Sequence, residues 1–167
     1  ENVIVNAPPY ASRKFLGTLP SEILDLLGRH EYYSARIVIH RDPVYMPADR
    51  KYWCSQNAAV DGELCEGSIW LGSARKHPKT GKPLQLFKSW ASNRSVQPKE
   101  ILAERTFLHP LSRPDTMRAT KEFQNWQGFK GLYFTGHFTA LTDLQETALY
   151  SGVKVAKILN PSSQRLQ

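Results

Sequence analysis

Arg36 and His40 lie four positions apart in one short stretch and combine a permanent cation with an imidazole that titrates near neutral pH. Over residues 33–40, Ala35, Ile37 and Ile39 alternate with Arg36, Val38 and His40, the pattern of a half-buried β-strand with an apolar face and a face of polar heads. From the polar face Arg36 can anchor a carboxylate or an ordered water through charge-assisted hydrogen bonds, while His40 can transfer a proton. The alternatives are an arginine whose head reaches solvent from the strand edge and a surface or hydrogen-bonded core histidine.

A second candidate lies in the last third of the chain. Residues 131–136, Gly-Leu-Tyr-Phe-Thr-Gly, read as an apolar strand delivered into a glycine. A loop to about residue 142 follows, then residues 143–159 with Leu144, Ala148, Leu149, Val153, Ala156 and Ile158 at helical spacing. Thr142 or Asp143 is a natural N-cap, and Asn160-Pro161 stops the helix. Such a strand, loop and helix lets backbone approach a ligand closely and presents free N–H groups at a helix end to electron-rich oxygens. Every α/β protein contains turns of this kind, so the unit alone is weak evidence of a ligand.

Other side chains with chemical potential carry less information. Trp53, Trp70, Trp90 and Trp126 suit either a cavity wall or an ordinary core. His30, His77 and His109 have no spacing that suggests a metal, and Cys54 and Cys65 lack zinc-site neighbours, which leaves a pair of buried thiols as the expectation. Asn93-Arg94-Ser95 is a glycosylation sequon and matters only in a secreted protein.

The elements that would position these residues can be read from the same string. Val3-Ile4-Val5 before Asn6-Ala7-Pro8-Pro9 is a buried strand stopped by a proline pair. Residues 20–27 form a helix closed by Gly28. Strands are expected at 51–55, 67–71, 84–90 and 101–109, separated by Asp61-Gly62 and by the turn-rich segment 78–83, and a helix at 116–124. The strand spacings suggest an antiparallel sheet. No internal repeat is visible.

The chain has 167 residues, 41% of them hydrophobic, enough for a core of ordinary size. Its net charge of +7 is spread along the sequence, and the one basic cluster, residues 75–82, is broken by Pro78 and Gly81. That pattern reads as a solvated loop rather than a nucleic-acid surface, so no nucleic-acid partner is expected. No stretch approaches the roughly 18 apolar residues of a membrane span, and the start lacks a signal-peptide pattern, so a soluble chain is expected.

The sequence Gly131-Leu-Tyr-Phe-Thr-Gly-His137, with Asp143-Leu-Gln-Glu-Thr-Ala148 and Ser151-Gly152, resembles the C-terminal flavin motif of FAD-dependent amine-oxidase-like flavoproteins. The stretch from Val3 to Ala11 is similar to the strand reading Val-Ile-x-Ala-x-Pro-Pro in the same family, and His109-Pro110 with Arg113-Pro114 resembles a branch of predicted NAD/FAD-binding oxidoreductases. The resemblance implies an α/β and α+β architecture: part of a GR2-type FAD-binding fold plus an antiparallel-sheet substrate domain. It assigns residues 1–12 and 116–167 to the FAD-binding part and 13–115 to the substrate part.

As cofactor-binding residues it implies Ala7 and Pro8, Gly136, His137 along the ribityl chain, Leu144, Gln145 and Glu146 near the pyrimidine edge, and Ala148. His137 replaces the acidic residue usual after the strand glycine, Thr147 replaces a glycine, and Arg36 stands nearest to the position of a lysine that many amine oxidases hold near flavin N5. Arginine stays protonated, so it can orient a water or a carboxylate but cannot serve as a base.

The G-x-G-x-x-G fingerprint that binds the pyrophosphate and adenosine half of FAD does not occur in this sequence. The expectation is therefore an FAD-dependent oxidoreductase acting on a small organic substrate, present as a subunit or a processed portion, with a second protein chain supplying the fingerprint. An FAD-dependent isomerase or desaturase of a lipid-like substrate is the alternative, as is a binding module that kept the fold without the cofactor.

Overall fold

The computed structural model describes residues 1–61, 64–140 and 144–166. It is a mixed α and β structure that divides into two compact units, one formed by Glu1–Tyr32 with Pro110–Gln167 and one by Tyr33–His109. Residues 13–32 and 110–115, which the resemblance groups with the substrate part, belong to the first unit.

In the first unit, strand β1 (Val3–Val5) lies parallel to β7 (Leu132–Phe134), with Val3 opposite Leu132 and Val5 opposite Phe134. Proline at the first helical position starts α1 (Pro9–Phe15), where the N–H it lacks would have had no intrahelical acceptor. The proline pair therefore ends the strand, as expected, and also opens a helix that the sequence reading missed. Helix α2 (Ser21–Gly28) buries Ile23, Leu26 and Leu27, and α3 (Pro114–Phe123) buries Ala119, Thr120 and Phe123. With Val5, Leu132, Phe134 and Phe138 the apolar members form one core. Phe123 meets Phe134 and Phe138 edge to face at 4.7 and 5.6 Å, contacts worth about 0.5–1.5 kcal/mol each beyond their buried area. Helix α4 (Gln145–Leu159) completes the unit and ends at Asn160. Its expected N-cap residues, Thr142 and Asp143, lie outside the described residues, as does Gly62 of the expected turn.

The edges of the two-stranded sheet differ. Gln127 closes the outer edge of β7, donating from Nε2 to the Phe134 carbonyl at 2.8 Å and accepting from the Phe134 N–H at 2.9 Å. On β1, the Val3 N–H and the Val5 carbonyl bond toward β7. Alternate peptide groups point the other way, so those of Ile4 face the outer edge, where Val3 and Ile4 are more than half exposed.

The second unit is a sheet in the order β3-β4-β5-β2-β6, formed by β2 (Tyr32–His40), β3 (Gln56–Asp61), β4 (Leu64–Trp70), β5 (Phe87–Trp90) and β6 (Ile101–Pro110). Strands β3 to β5 and β2 pair antiparallel. The bond from the Arg41 N–H to the Glu100 carbonyl joins the end of β2 to the start of β6, giving that pair the same sense.

Several expectations change here. Residues 51–55 are not a strand; Arg50–Tyr52 forms a single 3-10 turn because the Asp49 carboxylate caps the Lys51 N–H at 3.0 Å. Strand β3 was missed because Gln-Asn-Ala-Ala carries no apolar alternation. The strand expected at 84–90 starts only at Phe87, since the Leu84 carbonyl accepts from Trp70 Nε1 at 2.9 Å and its N–H bonds Arg75.

Both thiols are exposed rather than buried. Cys65 sits opposite Val60 in the outermost hairpin, and Val60 is itself 74% exposed.

The face of β2 expected to carry polar heads is covered, with Val38 and His40 fully buried. His40 stacks on Phe87, and its Nε2 hydrogen-bonds Ser89 Oγ at 2.8 Å, which in turn donates to Ser68 Oγ at 2.9 Å. These bonds satisfy His40 Nε2 and both serine hydroxyls, while His40 Nδ1 is buried with no hydrogen-bond partner among the described residues. Tyr45 and Trp53 lie over His40 and Phe87, with Trp53 edge-on to Trp70 at 5.3 Å and the Arg50 guanidinium over both indoles. Trp53 and Trp70 are thus packing residues.

Candidate functional site

The first unit presents the strand, glycine and helix that the sequence singled out. Parallel strands β1 and β7 end side by side at Asn6-Ala7 and Thr135-Gly136, and ligands of α/β proteins bind outside such carboxyl ends. Gly136 has φ 112° and ψ 179°, a conformation open essentially only to glycine. A Cβ there would stand 2.9 Å from the Asn6 side-chain Oδ1, so the Asn6 side chain occupies the space a larger residue would need. The Gly136 N–H donates to Ser151 Oγ of α4 at 2.8 Å, which ties the glycine to the helix. That bond commits this amide to the protein itself.

Leu144 stands at the N-cap of α4, where its N–H donates to Thr147 Oγ1 at 3.3 Å. Gln145 and Glu146 follow in the first turn, and Leu144, Gln145 and Glu146 are all exposed. The first amides of a helix have no intrahelical acceptor, so this turn offers donors to an incoming oxygen. Beside it, Asn6, Thr135, Ala148, Gly152, Val153 and Ala156 line a groove of about 410 Å³, and nothing lies within 4 Å of where a Gly152 Cβ would be. Ala7 packs against the core, and Pro8 stands at the N-cap of α1.

The chemistry of these residues fits the isoalloxazine end of a flavin, which needs amide donors for its pyrimidine oxygens and small residues where a flat ring passes. The G-x-G-x-x-G fingerprint that holds the pyrophosphate and adenosine does not occur in the sequence.

His137 starts the single 3-10 turn His137–Thr139, and its Nε2 lies 2.9 Å from the Tyr32 hydroxyl. His30 and His137 both border a cavity of about 40 Å³ together with Thr116, Met117, Thr120 and Phe138. His30 is 7% exposed, and its Nε2 has no hydrogen-bond partner among the described residues. Burial, with the neighbouring His137 as a smaller cause, lowers the His30 pKa to about 4. Neither Tyr32 nor His30 was singled out from sequence. The signal would have been a second histidine just before β2, visible only once His137 was placed beside it.

The catalytic candidates Arg36 and His40 share a strand face in the second unit. The Arg36 guanidinium bonds Glu104 Oε2 and Gln97 Oε1, both at 2.6 Å, and its backbone N–H donates to Ser92 Oγ at 2.9 Å. His40 is held in the core, where burial lowers its pKa against a partial opposing effect of Asp42. Of the tryptophans, Trp90 lies on the uncovered side of the sheet, where it borders a groove with Lys88, Phe107 and His109.

No helix among the described residues is long and apolar enough to cross a membrane. No protein-family model and no curated protein sequence matches the chain.

Proposed function

We propose that the first unit carries the flavin end of an FAD site in an oxidoreductase acting on a small organic substrate. The observation that supports this most is the junction at Gly136: two parallel strand ends, a glycine-only conformation and an exposed helix N-terminus beside a groove where Ala148, Gly152 and Ala156 lie among Leu149 and Val153. In this reading Gln145 and Glu146 offer amides to the pyrimidine edge, His137 lies along the ribityl chain, and Ala148 with Gly152 lets the ring pass close to α4. Ala7 and Pro8 carry the strand end past it. The bound flavin would supply the electron acceptor.

The open edge of β1 supports a partner. A parallel sheet of two strands is rare unless further strands and helices cover it, and among the described residues the Ile4 edge has no strand beside it and is flanked by exposed Val3 and Ile4 side chains. A polypeptide carrying the dinucleotide fingerprint on a parallel strand would fill that edge and complete the FAD site.

The test is to purify the protein as it occurs in its own cells and release any bound cofactor with acid. Flavin released in proportion to the chain, together with a co-purifying polypeptide containing the fingerprint, supports the reading. A colourless preparation that takes up no added FAD in the presence of that polypeptide defeats it. With flavin present, hydrogen peroxide formed under air distinguishes an oxidase from an isomerase or desaturase, which returns the hydride to its substrate.

A further inference from the structure

We propose that the uncovered face of the sheet in the second unit binds a small apolar molecule bearing a carboxylate. This site belongs to the second unit alone and stands whether or not the first unit holds flavin.

The face follows from the two-residue period of β-strands. Ile37 and Ile39 of β2 pair with Trp90 and Lys88 of β5. From β6 the alternating residues Ala103, Arg105, Phe107 and His109 reach the same side. The segment carrying Tyr45 and Trp53 covers the opposite face, over His40 and Phe87, so the two sides differ in kind. Together the uncovered residues border a groove of about 360 Å³, within the range of small-molecule sites. Its lining is mainly hydrocarbon: Ile37, Ile39 and Ala103 join Phe107, Trp90 and His109, with Trp90 and His109 edge to face at 6.0 Å. Phe107 remains 54% exposed although it is apolar.

Charge selects the class of ligand. Lys88 holds its ammonium 5.3 Å from the centre of the Trp90 ring, and Arg105 rises two residues before Phe107. Among the described residues neither has an ion-pair partner; Arg105 makes only a 3.4 Å bond to the Glu104 carbonyl. The one acidic residue beside the groove, Glu104, sends its carboxylate to Arg36. The face is therefore apolar with two uncompensated cations, complementary to a molecule with a hydrophobic body and a single anionic head. An aromatic and basic sheet face also suits single-stranded nucleic acid. The aliphatic lining of Ile37, Ile39 and Ala103 offers bases nothing to hydrogen-bond, which favours the carboxylate.

Phenylbutyrate and its uncharged counterpart phenylbutyramide, titrated calorimetrically into the full chain, provide the test. The acid should bind about tenfold or more tightly than the amide. Lys88→Met with Arg105→Met should erase that preference while leaving the thermal midpoint unchanged, and Lys88→Arg with Arg105→Lys should retain it. Equal affinities for acid and amide, no binding of either, or saturable binding of oligouridylate that displaces the acid and is lost in the double methionine variant would overturn the proposal.

Discussion

The Tyr32 hydroxyl meets His137 Nε2 at 2.9 Å, joining the residue at the start of β2 to the turn that follows Gly136. The two are 105 positions apart in sequence, and the bond joins Thr120 and Gln124, which reach the Phe138 and Thr139 carbonyls, in holding the turn after β7. Tyr32→Phe should cost about 0.5–1.5 kcal/mol of stability, the usual net value of such a bond, measured by urea unfolding at neutral pH. A change below about 0.2 kcal/mol would mean that the hydroxyl finds water equally well.

His30, close to that pair, makes stability depend on pH in a defined direction. Its folded pKa of about 4 lies below the ordinary histidine value, so the unfolded chain takes up a proton that the folded chain refuses. The contribution is fully present above about pH 6.5, falls as the pH drops toward 4, and levels off below that value. Between pH 7 and 4.5 the wild type should lose on the order of 2 kcal/mol more than His30→Gln. Parallel pH profiles for the two proteins would refute the assignment.

At Gly136 two penalties are separable. The Gly136→Ala change meets both the left-handed backbone, which costs about 1–3 kcal/mol, and a 2.9 Å approach to Asn6 Oδ1. Adding Asn6→Ala should recover only the steric part. Full recovery in the double variant, read from thermal midpoints, would show the backbone angle to be unstrained. In a flavin-loaded assembly Gly136→Val should also lower cofactor retention.

Arg36 divides the structural from the chemical reading. Its pair with Glu104 is partly exposed, with side chains 30% and 55% accessible, so Arg36→Met should cost less than about 1 kcal/mol of stability. A loss of tenfold or more in kcat/KM in a flavin-replete assembly, without such a loss of stability, would assign Arg36 to substrate binding. Unchanged kinetics would assign it to the sheet alone.

The exposed cysteines give a direct check on the outer hairpin. Cys54 and Cys65 should both react with a thiol reagent in the folded protein, at rates little changed by mild denaturant. Protection of Cys65 would mean that a surface covers the hairpin in solution.

The sequence announced the first unit better than the second, for reasons that lie in particular residues. Val3-Ile4-Val5, the run into Gly136 and the helix ending at Asn160 are continuous apolar or periodic patterns, and each became the strand or helix expected, although Val3 and Ile4 are exposed rather than buried. Alternation at Arg36, Val38 and His40 correctly gave a strand but the wrong environment, because Ser89 and Ser68 on neighbouring strands supply the partners that let His40 be buried. Partners across strands leave no trace in the local pattern. The same limit hid the binding face: Arg105, Phe107 and His109 alternate visibly, yet only register puts them beside Ile37 and Trp90. The glycine-only backbone at Gly136 was legible because a glycine ends an apolar run there, whereas Tyr32 gained meaning only from His137.

The pairing of β1 with β7 also sets an order of events as the chain folds. Val3 finds Leu132 only after the residues between them have been made, and closing so long a loop costs more entropy than any contact within the second unit's hairpin. The second unit is one unbroken segment and can reach its fold while the ribosome is still adding the strand that β1 awaits. Until that strand emerges, Val3, Ile4 and Val5 lack the partner they have in the fold, and their apolar side chains are open to a chaperone.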